Sequence, residues 1–254
     1  MSDQAHHWGR AARHYEQDFI DPYRPDVCNP LLAAAARLAD PKRGVVADLG
    51  CGIGPLLPFL SQHYRRVWAV DFARPMLNRA IKACATLSNI EYLQCGLPYL
   101  TLPDDERVHV AVAINSLVMP DVADLDKALK AIHGILKPGG HFLGIVPAMD
   151  SVHYFTMLLL DRALARGMPA KKARQNAAYV GEHEFYDFAW GEFRYQGLVQ
   201  HFWQPFEVRY RLKRAGFRDV RVAKVQLSWS QFGPAGRELI GVPPPWDWFF
   251  QATH

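Results

Sequence analysis

Three glycines at alternate positions, Gly50, Gly52 and Gly54, follow Asp48 in the stretch ADLGCGIG, and a second acidic residue, Asp71, lies seventeen residues beyond Gly54. Glycine at this density marks a backbone that turns sharply or is approached closely. The amides of such a loop, with the start of the helix that follows, can face a ligand. A carboxylate at the tip of the next strand, VWAVDF, can accept hydrogen bonds from both hydroxyls of a ribose. The chemistry on offer is the binding of a nucleoside. Taken alone, Asp71 would serve as a cap for the RPMLNRA helix; coupled to the glycine loop, the nucleoside is the stronger reading. A dinucleotide fingerprint would need a third glycine at position 55, where the chain has Pro55. Proline lacks the amide that a pyrophosphate would meet, which argues against a nicotinamide cofactor.

These residues need a sheet to hold them. Short apolar runs at 45–48, 67–70, 90–94, 108–114 and 141–146 alternate with helical patterns at 56–62, 75–87 and 125–136, the last stopping at KPGG. That alternation predicts a parallel sheet with crossover helices. Ahead of it, residues 7–38 read as two helices interrupted by DPYRPDVCNP, whose prolines force a break. After Pro147 the alternation is lost, and residues 151–204 are crowded with Tyr, Phe and Trp. They read as a mostly helical insertion lying over the sheet. A helix at 205–215 and strands at 220–228 and in WDWFFQAT then resume the pattern. The expected divisions are 1–147, N-terminal helices and binding core; 148–204, a substrate lid; and 205–254, which completes the sheet.

At 254 residues, half of them hydrophobic, the chain is long enough for a sizeable core. Its formal charge of +4 is modestly basic, and no long Lys/Arg block points to nucleic acid. The basic stretch from Val208, VRYRLKRAGFR, reads as the exposed face of a crossover helix. Cys28, Cys51, Cys84 and Cys95 form no CxxC pair, and the chain opens on no signal-peptide pattern. No apolar stretch approaches the roughly 18 uncharged residues that a membrane helix needs. The expectation is a soluble, reduced, cytoplasmic protein. HEF at 183–185 is no HExxH motif, and no other spacing suggests a metal.

ADLGCGIG, AVDFARPML, VAVAINSLVMPDV and LKPGGHFLGIVP, in that order, resemble the class I S-adenosylmethionine-dependent methyltransferases. The likeness covers roughly residues 7–147 and, more loosely, the last 50. Each motif is weak singly; the ordered set is specific. The resemblance implies a Rossmann-like seven-stranded, mostly parallel sheet with its final strand inserted antiparallel, and S-adenosylmethionine as cofactor. It implies contacts from Gly50 and Gly52 with the cofactor, from Asp71 with its ribose, and from Phe72 and Met76 with its adenine. Tyr15, where similar enzymes close a lid, completes the expected binding set with Asp48, Cys51 and Asn115. Two departures stand out. Cys95 and Gly96 replace the acidic residue that meets adenine in many members, and His109 stands where an acidic residue is common, which points to local packing.

Methyl transfer requires alignment more than covalent help, and a base if the acceptor must lose a proton. His153, His183 and His201 lie in or beside the insertion and are the candidate bases, although each by itself reads more readily as a surface or core histidine. The insertion's rings, among them Tyr154, Tyr186, Trp190, Phe193 and Trp203, would line an acceptor pocket or pack as the core of a cap. Glu182, Glu184 and Asp187 beside them suit an amine or other cationic acceptor, or equally a solvated turn. The expected partner is therefore a small-molecule methyl acceptor. The NPPY-type tetrad of nucleic-acid amino-methyltransferases is absent, the chain reading INSLVMP there. The alternatives are a nucleic-acid or protein methyltransferase and a catalytically silent cofactor-binding subunit.

Overall fold

Strand β1 (Val45–Leu49, VVADL) is buried along its whole length, as a strand covered by helices on both faces must be. The computed structural model describes residues 20–178, 185–187, 189–195 and 198–254. In chain order after a short helix α1 (Leu31–Arg37) come β1, α2 (Leu57–His63), β2 (Arg66–Asp71), α3 (Arg74–Ala83), β3 (Ile90–Gln94), β4 (Val108–Ile114), α4 (Val122–Ile135) and β5 (Leu136–Pro147). The insertion supplies α5 (Met149–Ala165), α6 (Ala170–Ala178), β6 (Phe185–Asp187), β7 (Glu192–Tyr195) and β8 (Leu198–His201). The chain closes with α7 (Pro205–Arg214), β9 (Arg218–Gln226), α8 (Gly233–Arg237) and β10 (Trp246–Thr253).

The seven-stranded sheet has the order β3-β2-β1-β4-β5-β10-β9. Its strands are parallel except β10, which runs antiparallel to both β5 and β9. The carboxyl ends of β1, β2, β4, β5 and β9 therefore share one edge with the start of β10. Side chains alternate across a strand, so the sheet buries two cores. Val45, Ala47 and Leu49 pack with α4 and α7 on one face. Val46, Val67 and Ala69 pack with α1, α2 and α3 on the other. Helix α4 places Leu125, Ala128, Leu129 and Ile132 on its buried stripe, the spacing of a helix with one apolar face. Its start is fixed by Asp121, whose side chain accepts from the amides of Ala123 and Asp124. No helix among the described residues is long and apolar enough to cross a membrane.

Two expectations need correction. The helix ends at Ile135, just ahead of KPGG, as expected, but the strand begins at Leu136 and not at 141: KPGG lies within β5, where the register against β4 shifts between Val108 and Val110 and Gly139 takes φ +73°. The insertion is helical only through α5 and α6. Its aromatic part folds as the antiparallel sheet β6-β7-β8, because residues such as Glu192-Phe193-Arg194-Tyr195 alternate polar and aromatic with period two. The expected helix ahead of residue 20 lies outside the described residues.

Candidate functional site

The glycine loop leaves the tip of β1 by folding back on β2: the amides of Gly50 and Cys51 both donate to the carbonyl of Val70, at 2.7 and 2.9 Å. Gly50 has φ +75°, and a Cβ there would stand 2.3 Å from the Cβ of Ser116, so only glycine fits. Ser116 seals the contact by donating its hydroxyl to the Leu49 carbonyl at 2.7 Å. Gly52, at φ +56°, instead faces open space, with no atom within 4 Å of where its Cβ would be. A ligand can approach the backbone there.

Asp71 ties the loop to the second strand. Its Oδ2 accepts from the Gly52 amide at 2.9 Å, and its Oδ1 from the Ala73 amide at 2.8 Å. With a further backbone hydrogen bond from Phe72, three of the four acceptor positions of the carboxylate are used and one remains. The capping and ligand readings of Asp71 are therefore compatible. Cys51 is buried, and burial drives its thiol well above the usual value. Met76 is buried against Ala73 beneath a partly buried Ile53, and Phe72 is half-buried.

Three carboxylates are sunk into this edge: Asp48, Asp71 and Asp247, at 3, 6 and 7% exposure. Burial, then the nearby charge of Asp71, pushes Asp48 up to about 7. Burial raises Asp71 against the amide hydrogen bonds that lower it. Burial pushes Asp247 up to about 7 as well, opposed by hydrogen bonds from the Ala148 amide and the Asn115 side chain. No lysine or arginine acts on any of the three among the described residues. Oδ2 of Asp48 and Oδ1 of Asn115 are buried with no hydrogen-bond partner among the described residues. Buried polar atoms are normally satisfied, so such orphans on a ligand-facing edge mark where a donor would dock.

Residues 46–140 match the family described as "Methyltransferase domain". Residues 46–140 are a class I S-adenosylmethionine-dependent methyltransferase domain. Over 104 residues the chain is 32% identical to the ubiquinone/menaquinone biosynthesis C-methyltransferase UbiE of Vibrio vulnificus (strain YJ016), covering 39% of each protein. It is 29% identical over 133 residues to the malonyl-[acyl-carrier protein] O-methyltransferase of Pseudescherichia vulneris, covering 52% of this chain and 49% of that one. The matches thus span half or less of those curated relatives. In structure, the chain resembles the N-methyltransferase NodS from Bradyrhizobium japonicum WM9 in complex with S-adenosyl-L-homocysteine, with TM-score 0.57 and 15% identity over 97% of this chain and 98% of that one. At that identity the likeness carries the fold. The methyltransferase domain holds the glycine loop, Asp48, Asp71 and Asn115. Asp247 reaches the same edge from β10, outside the matched residues.

The remaining expected residues divide. Tyr15 and His183 lie outside the described residues, as do Glu182, Glu184 and the Tyr186 side chain. Trp190 is 73% exposed. Tyr154 donates its hydroxyl to the Pro243 carbonyl at 2.8 Å, and its ring lies tilted against Trp246 with the centroids 5.3 Å apart. His153 is exposed on α5. Phe193 is buried, its ring stacked on Phe202 at 4.6 Å. Two expectations fail. Trp203, 1% exposed, is part of the core, with its ring nitrogen donating to the Leu117 carbonyl at 2.7 Å. His201, 2% exposed, is held by Glu207 at 3.0 Å in a chain that continues through Arg211 to Asp126. Both anchor the insertion by these contacts among the described residues. His109 is the packing residue expected, accepting from the Val45 amide at 3.0 Å. No His/Cys/Asp/Glu group among the described residues could hold a metal.

Sequence reasoning missed the segment between β9 and β10. Because β9 runs parallel to β5, this segment rises from the same edge. It helps to enclose a cleft of about 470 Å³ lined by Asp26, Ser228, Trp229, Arg237 and Ile240.

Proposed function

We propose that the protein transfers the methyl group of S-adenosylmethionine to a small molecule bound between the insertion and the carboxyl edge of the sheet. The three buried carboxylates without a cation carry this reading. Desolvated charge is costly unless paired, and here the missing partner suits a cationic ligand such as a sulfonium with an α-ammonium group. The anionic pyrophosphate of a dinucleotide would be repelled by the same groups. When bound, the cofactor supplies a methyl carbon activated by a positive sulfur that leaves neutral. The chain's own contribution is alignment: Gly52 opens the backbone to approach, Asp71 offers its remaining acceptor position to a ribose hydroxyl, and the Asn115 turn borders the far end. Holding two reactants in line can supply several kcal/mol of a barrier.

Topology supports this position for the acceptor. Helix α5 starts at the tip of β5, one strand from Asn115, so the insertion can fold back over the transferable methyl. Exposed Trp190 with the Tyr154–Trp246 pair offers ring faces to an amine or aromatic acceptor. Four unpaired cysteines, with Cys28 exposed, suit a reducing compartment such as the cytoplasm. Calorimetry with S-adenosylmethionine, S-adenosylhomocysteine and NADH tests the binding half, and transfer of labelled methyl to a metabolite pool tests the rest. One-to-one binding of the first two and label in a small molecule are expected. NADH binding without S-adenosylmethionine binding would overturn the proposal, as would cofactor binding with no label transferred to any small molecule.

A further inference from the structure

Asp247 stands at the start of β10, paired in register with Pro147 at the tip of β5. Asp48 is level with Val112 of β4 and so with Leu143 of β5, four residues before Pro147. Four is an even number, so Asp247 projects from the same face of the sheet as Asp48, nearer the rim. Its carboxylate receives the Ala148 amide and the side-chain amide of Asn115. Asn115 is one of four non-glycine residues described at positive φ, at +50°. Its backbone amide is anchored to the Ile145 carbonyl at 2.8 Å. With Nδ2 given to Asp247, the orphaned Oδ1 can only be an acceptor, and it is buried without a partner among the described residues. The next residue, Ser116, packs on Gly50. The oxygen therefore borders the glycine loop.

The strand order fixes what reaches it. With a ribose at Asp71 on the tip of β2, a ligand that extends across β1 would bring its other end toward β4. That end of S-adenosylmethionine carries an α-ammonium group, a hydrogen-bond donor of the required sign. Resting on the cofactor assignment above, we propose that Asp247 is a positioning residue for this arm: it turns the Asn115 amide so that Oδ1 receives the ammonium, with its own charge behind that oxygen. Other charged groups near β10 are engaged elsewhere. Lys224 of β9 lies over the Trp246 ring on the opposite face, at 3.3 Å from the centroid, and Asp150 of α5 accepts from Trp248 at 3.0 Å. The site thus pairs one acceptor with one distant carboxylate that no local motif reveals.

The test compares S-adenosylhomocysteine with 5′-methylthioadenosine, which keeps the nucleoside and the sulfur but lacks the aminocarboxypropyl arm. Calorimetry on Asp247→Ala should show S-adenosylhomocysteine weakened about tenfold or more, as expected for a hydrogen bond to a charged group, and methylthioadenosine unchanged within about twofold. Asn115→Ala should do the same, and the double variant should lose no more than Asn115→Ala alone, because Asp247 acts through that side chain. Asp247→Asn keeps the shape and guards against a folding defect; it should still weaken S-adenosylhomocysteine selectively. Equal weakening of both compounds, an unchanged ratio, or additive losses would overturn the role of Asp247. Binding of neither compound by the unaltered protein would instead refute the cofactor assignment.

Discussion

Replacing Asp48 by Asn should make the ligand-free protein more stable at pH 8, although it removes a group from the binding edge. Burial and the charge of Asp71 carry the Asp48 pKa from 3.8 to about 7. Since the folded value lies above the unfolded one, the folded state holds a proton that the unfolded chain has lost between about pH 4 and pH 7. Stability is then fully present below pH 4 and falls as pH rises to 7. At about 1.4 kcal/mol per unit, the three-unit shift is worth about 4 kcal/mol. Between pH 5 and pH 8 the fall is about 3 kcal/mol. Asp247, also at about 7, adds a second fall of similar size. Urea unfolding of the ligand-free protein at pH 5, 6, 7 and 8 should therefore show a steep decline that Asp48→Asn roughly halves. Parallel curves for the two proteins would refute the claim that Asp48 is a strained, uncompensated carboxylate.

Ligand affinity should run the other way with pH: S-adenosylmethionine binding should strengthen as pH rises from 6 to 8, and less so in Asp48→Asn, measured by calorimetry. Asp71→Ala should weaken S-adenosylmethionine by at least about tenfold, because a charged acceptor and the ties to Gly52 and Ala73 go together; an unchanged affinity in the folded variant would contradict this. Trp203→Ala should cost about 3–5 kcal/mol of stability in denaturant, the range for removing a large core aromatic. Trp190→Ala should shift stability by less than about 0.5 kcal/mol, since that ring is 73% exposed, while raising KM for the acceptor.

The sheet was legible because its strands are long apolar runs with helical patterns between them. Ile90–Gln94, Val108–Ile114 and Trp246–Thr253 fall where the runs begin and end. Asp71 was legible too, since its distance from the glycines follows from a strand, a loop and a helix of ordinary length. KPGG marked the end of the helix correctly but hid the start of β5, because a glycine pair that ends a helix can also sit inside a strand when the register shifts. The aromatic segment misled because strands of three or four residues leave too little alternation to outweigh a helical context. Trp203 could not be told from a pocket residue: whether a ring packs or lines depends on what covers it. Asp247 was hidden by its surroundings. In WDWFF it reads as an ordinary acid in an apolar strand, and its partner Asn115 lies 132 residues away.

Two buried charge systems among the described residues follow opposite rules, and the contrast bears on function. Under the insertion, burial alone would raise Glu207, yet hydrogen bonds from His201 and Arg211 hold it below the usual carboxylate range. Arg211 passes the chain of pairs on to Asp126 at 3.1 Å. Breaking such a network would leave a buried charge alone, at a cost of about 3–5 kcal/mol. The protein, with 29 lysines and arginines, therefore has the means to neutralise a buried acid and does so where the task is to fasten an element. At the carboxyl edge of the sheet it leaves Asp48, Asp71 and Asp247 without one among the described residues. An uncompensated cluster persists only when the surrounding structure tolerates its cost or a ligand removes it. A sulfonium-ammonium ligand would remove it, and so the charge pattern and the glycine loop point to the same occupant by independent physics.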